Sequence, residues 1–89
     1  MTKAALAGLT RGLARDLGPR GITVNAVQPG PTETDMNARE EMRAMVHPLL
    51  ALGRMGKDVE IASLVSYLAG PEASFITGSA LTIDGGYLA

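Results

Sequence analysis

The feature that most constrains the fold is a short β-branched segment, residues 22–27, which is followed by a stop at Pro29 and Gly30. Apolar side chains lie at both alternating positions of this segment, which is typical of a strand covered on both faces in a parallel sheet. A tight turn separates it from an amphipathic helical pattern over residues 2–17 that has no internal proline. Helix, turn and strand in this order form the second half of a βαβ unit. We therefore expect an α/β fold, with the first strand of that unit before residue 1.

Two helical patterns and a second strand follow. Residues 38–46 are predicted to form a short helix inside a longer loop, and a further helix is predicted to begin at Asp58 and end before Gly70. Residues 80–83 are predicted to form a short strand that leads into a terminal turn at residues 84–86. Because strands that flank a helical connection in one sheet most simply run parallel, we expect the two strands to be parallel with a crossover between them.

The apolar stripes of the helices indicate which side chains should lie in the core. In the first helix the leucines recur on one face: Leu6, Leu9, Leu13 and Leu17. In the helix that ends before Gly70 the apolar face consists of Ile61, Leu64, Val65 and Leu68. The segment 38–46 carries Met42 and Met45, whose flexible side chains suit either ordinary packing or a mobile cover over a pocket.

Composition excludes several classes of function. The 89 residues carry a net charge of -1, which gives no electrostatic basis for binding nucleic acid or an anionic membrane surface. There is no cysteine for a disulfide or a thiolate metal site, and no apolar stretch approaches the roughly 20 residues that span a bilayer. His47 lacks partner ligands, and the acidic residues around Glu33 have no metal-loop spacing, so we predict no metal site and a solvated acidic edge. A cytoplasmic protein without nucleic-acid or membrane partners is expected.

Five short motifs occur along the chain in a fixed order: TKAAL at 2–6, GITVNAV at 21–27, PGPTETDM at 29–36, GRMG at 53–56, and ITG with DGG within 76–86. Together they resemble the C-terminal part of short-chain dehydrogenases/reductases, and 3-oxoacyl carrier-protein reductases in particular. The resemblance implies the C-terminal portion of a Rossmann-like doubly wound parallel sheet. Residues 1–89 would then be a fragment of a single domain, with the N-terminal dinucleotide-binding part absent.

The resemblance also implies a set of site residues. Lys3 matches the lysine of the family's Tyr-x-x-x-Lys pair, which lowers the pKa of the catalytic tyrosine and holds the nicotinamide ribose, and the tyrosine itself would precede Met1. An ammonium group near a phenol does favour the phenolate. The stretch from Pro29 to Thr34 matches the family's Pro-Gly-x-x-x-Thr element, which holds the nicotinamide carboxamide. The implied catalytic residue is Lys3, and the implied cofactor-binding residues are Lys3, Pro29, Gly30, Thr32 and Thr34.

The implied function is an NAD- or NADP-dependent oxidoreductase that interconverts an alcohol and a carbonyl on a small-molecule substrate, as a homo-oligomer when intact. The first helix carries a stripe of small residues, Ala4, Gly8 and Gly12, that would let another helix approach closely. This stripe supports an alternative, in which the chain has no catalysis of its own and acts only through oligomer or subunit-docking surfaces. The isolated 89-residue chain is expected to be inactive.

Overall fold

The computed structural model describes residues 1–33 and 40–89. The α-helices are α1 (Lys3–Leu17), α2 (Glu40–Val46) and α3 (Asp58–Ala69), and the strands are β1 (Ala26–Pro29), β2 (Thr32–Glu33), β3 (Gly56–Lys57) and β4 (Ala80–Ile83). Short 3₁₀ turns follow α1, α2 and α3 at Gly18–Arg20, His47–Leu49 and Pro71–Ala73. In the described parts of the chain, no helix has the length and apolar character needed to cross a membrane.

The chain divides into two compact units, which we describe separately. The first comprises Met1–Val27 and Val65–Leu81, and the second comprises Gln28–Leu64 and Thr82–Ala89. In the first unit the buried side chains are small ones, such as Ala14 and Ala73. In the second unit Leu50 and Met55 are buried.

Helix α1 confirms the predicted helix over residues 2–17, since Thr2 caps its N-terminus by accepting a hydrogen bond from the Ala5 N–H at 3.0 Å. The predicted buried face is wrong in part, because Leu9 and Leu13 are 49% and 40% exposed. The buried positions are instead Thr10 and Ala14, with Leu6 and Leu17 half-buried. The Thr10 hydroxyl donates to the Leu6 carbonyl at 2.7 Å, which satisfies its polar group inside the unit.

Strand β1 begins later than predicted, at Ala26 rather than residue 22, although it does stop at Pro29. The preceding backbone groups bond to a loop rather than to a ladder. The Val24 N–H donates to the Thr77 hydroxyl at 3.0 Å, and the Val24 carbonyl accepts from the Gly78 N–H at 2.7 Å. The apolar pattern of residues 22–27 therefore indicates partly buried side chains, but it does not predict where the strand begins.

Strands β1 and β4 form one two-stranded sheet, and β4 has the predicted bounds, Ala80–Ile83. The residues that their hydrogen bonds join increase in number in the same direction along both strands. In the first unit the Ala26 N–H donates to the Ser79 carbonyl at 2.9 Å, and in the second the Gly30 N–H donates to the Ile83 carbonyl at 3.0 Å. The strands are thus parallel, as predicted, and the α/β class is confirmed.

A second small sheet, β2 with β3, was not predicted. Its strands are parallel, with Thr32 opposite Gly56 and Glu33 opposite Lys57. Two residues are too few to show a strand's hydrophobic alternation, so the sequence carries no local signal for either strand.

The two remaining helical predictions are confirmed in place. Helix α2 lies within the predicted segment 38–46, whose first two residues lie outside the described part of the chain. Met45 is 76% exposed and is therefore not a core residue, while the mobile-cover interpretation stays a prediction. Helix α3 begins and ends where predicted, but Val65 on its expected buried face is 49% exposed.

Candidate functional site

The loop that follows β1 belongs to the second unit and carries three of the predicted site residues. Pro29 ends the strand and is exposed, whereas Gly30 and Thr32 are half-buried. The Thr32 hydroxyl donates to the Gly30 carbonyl at 2.9 Å and closes a tight turn. The structure therefore brings Pro29, Gly30 and Thr32 together at the carboxyl end of β1, where ligands bind in open α/β sheets.

The pairing of β2 with β3 determines which backbone N–H and carbonyl groups of this segment the ladder uses. The Gly56 N–H donates to the Pro31 carbonyl at 3.0 Å, and Thr32 is the register partner of Gly56. In a parallel ladder, the backbone N–H and carbonyl of one residue face the neighbouring strand, and those of the next residue face away from it. Gly56 therefore bonds to the residues before and after Thr32, and not to Thr32 itself. The ladder thus leaves both the N–H and the carbonyl of Thr32 unused.

Gly30 is required by the close approach of the terminal turn. An added Cβ at Gly30 would lie 2.5 Å from the Asp84 Cβ and 2.8 Å from its Cα. Asp84 is itself fixed, since its carboxylate accepts from the Gly86 N–H at 2.9 Å and from the Leu88 N–H at 3.2 Å. This confirms the predicted terminal turn and gives Gly30 a structural role independent of any ligand.

A bidentate ion pair flanks β3. Arg54 donates from Nη1 and Nη2 to the two carboxylate oxygens of Glu60, at 2.7 and 2.9 Å. Glu60 also accepts from the Lys57 N–H at 3.0 Å, the contact that the third residue of a capped helix makes to its N-cap. The Arg54 hydrogen bond, followed by the Lys57 N–H bond, lowers the pKa of Glu60 from 4.5 to about 2. The sequence analysis did not identify Arg54, six residues before Glu60, as its partner.

We expect the Glu60 carboxyl to titrate near pH 2, with its midpoint followed by NMR of the side-chain carboxyl carbon. Because the folded pKa lies below the unfolded value of 4.5, the ion pair contributes fully above about pH 4.5 and is lost as the pH falls towards 2. The variant Arg54→Met should move the midpoint upwards, but not fully to 4.5, since the Lys57 N–H still donates to Glu60. An unchanged midpoint in that variant would contradict the assignment of the shift to Arg54.

A cavity of about 90 Å³ adjoins this ion pair in the second unit. Its lining includes Pro31, Arg54, Glu60 and Asp84. The cavity therefore has room only for a group of a few atoms or for water.

Glu33, which was predicted to lie on a solvated acidic edge, is partly exposed and has an ion-pair partner. Its carboxylate lies 3.0 Å from the Arg43 Nε, and the two side chains are 36% and 38% exposed. This pair joins β2 to α2, although pairs this exposed contribute little to stability. Among the residues that the structure describes, no cluster of histidine and acidic side chains could hold a metal ion.

Lys3 lies in the first unit, as the first residue of α1, with an exposed side chain. A cation at a helix N-terminus opposes the helix macrodipole, so the local structure does not explain why lysine occupies this position. Thr34, the remaining predicted site residue, lies outside the described residues.

Asn25 is a residue whose importance the sequence did not reveal. Its Nδ2 donates to the Ile76 carbonyl at 3.0 Å, and its Oδ1 accepts from the Ser79 N–H at 3.1 Å. One half-buried side chain thus bridges the approach to β1 and the approach to β4 within the first unit. The available signal was a lone amide in a segment that, apart from Thr23, is otherwise apolar.

Comparison with known proteins gives consistent matches. A family model described as enoyl-(acyl carrier protein) reductase matches residues 1–88. The cyclic-di-GMP-binding biofilm dispersal mediator protein of Escherichia coli K12 is 59% identical over 87 residues, which are 97% of this chain and 37% of the relative. The 3-oxoacyl-(acyl-carrier-protein) reductase of Vibrio cholerae is 45% identical over 86 residues, 94% of this chain and 35% of the relative.

Solved structures agree with these relatives. A short-chain dehydrogenase/reductase from Serratia marcescens has a TM-score of 0.88 at 60% identity over 98% of this chain and 36% of its own. The protein BdcA in complex with NADPH has a TM-score of 0.86 at 60% identity, covering 94% and 35%. A 4-hydroxyisoleucine dehydrogenase complexed with NADH has a TM-score of 0.84 at 35% identity, covering 96% and 37%.

These matches show that the chain has a Rossmann-like α/β fold. The chain belongs to the short-chain dehydrogenase/reductase family and resembles its 3-oxoacyl carrier-protein reductases. It spans about a third of the length of the curated relatives it matches, 37% and 35% for the two named above.

Proposed function

We propose that this chain forms the nicotinamide side of an NAD- or NADP-dependent oxidoreductase that interconverts an alcohol and a carbonyl. The observation that carries the proposal is that, among the residues the structure describes, the pairing of β2 with β3 does not use the N–H and carbonyl of Thr32. A carboxamide has both donors and an acceptor, so this pair of backbone groups matches it in chemistry. The position of Thr32, just after the carboxyl end of a parallel strand, supports the same assignment.

The remaining roles follow the family resemblance. When bound, the nicotinamide cofactor supplies or accepts the hydride. Pro29 and Gly30 end the strand so that Thr32 faces the carboxamide, and the Thr34 hydroxyl adds a further contact. The Lys3 ammonium binds the nicotinamide ribose and favours the ionised form of a tyrosine that we assign to a position before Met1. The relatives complexed with NADPH and NADH support use of either cofactor.

We further propose that residues 1–89 are the C-terminal portion of one such domain, because the chain aligns with little more than a third of each relative. Homo-oligomeric assembly and a small-molecule substrate are part of this proposal, and the cytoplasmic location stays a prediction. A function through docking alone is the second candidate. It is favoured by the exposed apolar side chains of Leu9 and Leu13 and by open space around Gly8 and Gly12 on α1.

A chimera tests the proposed function. The aligned part of the E. coli relative would be replaced by this chain, and the oxidation of NADPH and NADH by a series of carbonyl compounds would be measured. We expect saturable turnover, and we expect Lys3→Ala to lower kcat/KM by roughly 100-fold or more, the scale of a group that assists proton transfer.

The matched control is Arg11→Ala, which removes a cation from an exposed position of the same helix and should leave turnover unchanged. Unchanged turnover in Lys3→Ala would exclude the role of Lys3. The chimera separates the two candidates: docking without catalysis predicts an inactive chimera, whereas the enzyme proposal requires an active one.

A further inference from the structure

Strand β2, which contains Thr32, is too short to be stable through its own pairing. It comprises Thr32 and Glu33 only, and it pairs with a β3 of equal length. Isolated two-stranded pairs are marginal even when the strands are much longer. The position of the Thr32 backbone must therefore depend on what fixes β3.

Strand β3 is fixed by Glu60 from both of its ends. Before the strand, the Arg54 guanidinium is clamped to Glu60 at 2.7 and 2.9 Å and also donates to the Met55 carbonyl at 3.2 Å. Within the strand, the Lys57 N–H donates to the same carboxylate at 3.0 Å. Met55 between them is 4% exposed, so the segment is also anchored by burial.

These contacts form an unbroken path within the second unit. Glu60 holds Arg54 and Lys57, the segment between them contains Gly56, and the Gly56 N–H donates to the Pro31 carbonyl next to Thr32. We infer that the Arg54–Glu60 pair is a positioning device for the Thr32 backbone, and so controls affinity for the nicotinamide end of the cofactor. The cofactor part of this inference rests on the proposed function.

A simpler explanation is that Glu60 only caps α3. Capping requires the bond from the Lys57 N–H and does not involve Arg54. The variant Arg54→Met separates the two explanations. It removes the ion pair but keeps the Glu60 carboxylate and an apolar side chain of similar length at position 54. Arg54→Lys restores the charge but cannot make the bidentate contact.

The first measurement is amide hydrogen exchange by NMR in the 89-residue chain. Arg54→Met should accelerate exchange of the Gly56 N–H about tenfold relative to wild type. Amides of α1, in the other unit, serve as the internal reference, and Arg11→Met, which removes an exposed arginine there, is the matched control and should leave Gly56 unchanged. Unaltered Gly56 exchange in Arg54→Met would overturn the inference and leave the proposed function untouched.

The second measurement is steady-state kinetics in the chimera with the E. coli relative. Arg54→Met should raise the KM for the cofactor about tenfold with kcat within twofold, the pattern of lost binding that is equal in the ground and transition states. A merely structural defect would instead reduce the active fraction, lowering apparent kcat at constant KM. Arg54→Lys should recover part of the KM.

The outcomes are distinguishable. Faster Gly56 exchange with an unchanged KM would overturn the positioning role while the enzyme proposal stands. A wild-type chimera without cofactor-dependent turnover would overturn the proposed function and, with it, the cofactor part of the inference.

Discussion

Gly30→Ala is expected to destabilise the chain by roughly 3 kcal/mol or more, at the upper end of the cost of overpacking a tight site. The new Cβ would lie 2.5 Å from the Asp84 Cβ and 2.8 Å from its Cα, and the second of these is backbone. Neither Gly30 nor Asp84 can shift easily to relieve this contact. Gly30 is bonded to the Ile83 carbonyl at 3.0 Å, and the Asp84 carboxylate is held by two backbone N–H groups.

The cost at Gly30 is steric alone, because this glycine does not adopt a positive φ. Urea unfolding followed by circular dichroism would measure it, with Gly12→Ala as the matched control. Nothing lies within 4 Å of a Cβ at Gly12, so alanine there should stabilise α1 by about 0.5–1 kcal/mol. A Gly30→Ala variant whose unfolding midpoint equals or exceeds that of the wild type would refute the close approach of Gly30 and Asp84.

Asn25→Ala is expected to cost about 2–3 kcal/mol. The substitution leaves the Ile76 carbonyl and the Ser79 N–H without the partners they now have at 3.0 and 3.1 Å. Each half-buried group left unpaired costs about 1–3 kcal/mol before water compensates in part. Because the site lies beside the start of β4, we expect the ladder bond from the Ala26 N–H to Ser79 to weaken as well.

Asn25→Asp refines this prediction. Aspartate keeps an acceptor for the Ser79 N–H but directs an oxygen at the Ile76 carbonyl, so it should be destabilising near neutral pH and less so when the carboxyl is protonated. Gln28→Ala, three residues further along in β1, is the matched control, since the exposed contact of Gln28 with the Thr82 hydroxyl is 3.4 Å long. A Gln28→Ala variant as unstable as Asn25→Ala, in the same urea unfolding assay, would show that Asn25 has no special role.

These two residues alter how the family motifs are interpreted. Asn25 and Gly30 belong to the GITVNAV and PGPTETDM motifs on which the resemblance depends. Both have sufficient structural reasons in this chain, one as a bridge between loops and one as a point of close backbone approach. The motif alone is therefore weak evidence for a cofactor contact at Gly30. The backbone N–H and carbonyl of Thr32 are better evidence, because the β2–β3 ladder does not use them within the described residues.

The candidate site was predictable only as far as chain position and family resemblance allow. Pro29, Gly30 and Thr32 were assigned correctly to the end of a strand, because proline and glycine terminate strands through local backbone chemistry. The residues that hold the site in place were not recognised. Arg54 and Glu60 are six residues apart, and Asn25 lies 51 residues from Ile76, so their partners follow from the folded path of the chain and not from local spacing.

Local sequence patterns were sufficient to predict helix α1, helix α3, strand β4 and the parallel relation of β1 to β4, because helical periodicity, capping residues and glycine or proline stops act within a few neighbouring residues. The buried face of α1, the start of β1 and the second sheet of two-residue strands became evident only from the folded chain. Each of these depends on which distant groups accept a backbone hydrogen bond or cover a side chain. The proposed function depends on the N–H and carbonyl of Thr32, which the pairing of β2 with β3 leaves unused in the described part of the chain, and that pairing exists only in the folded chain.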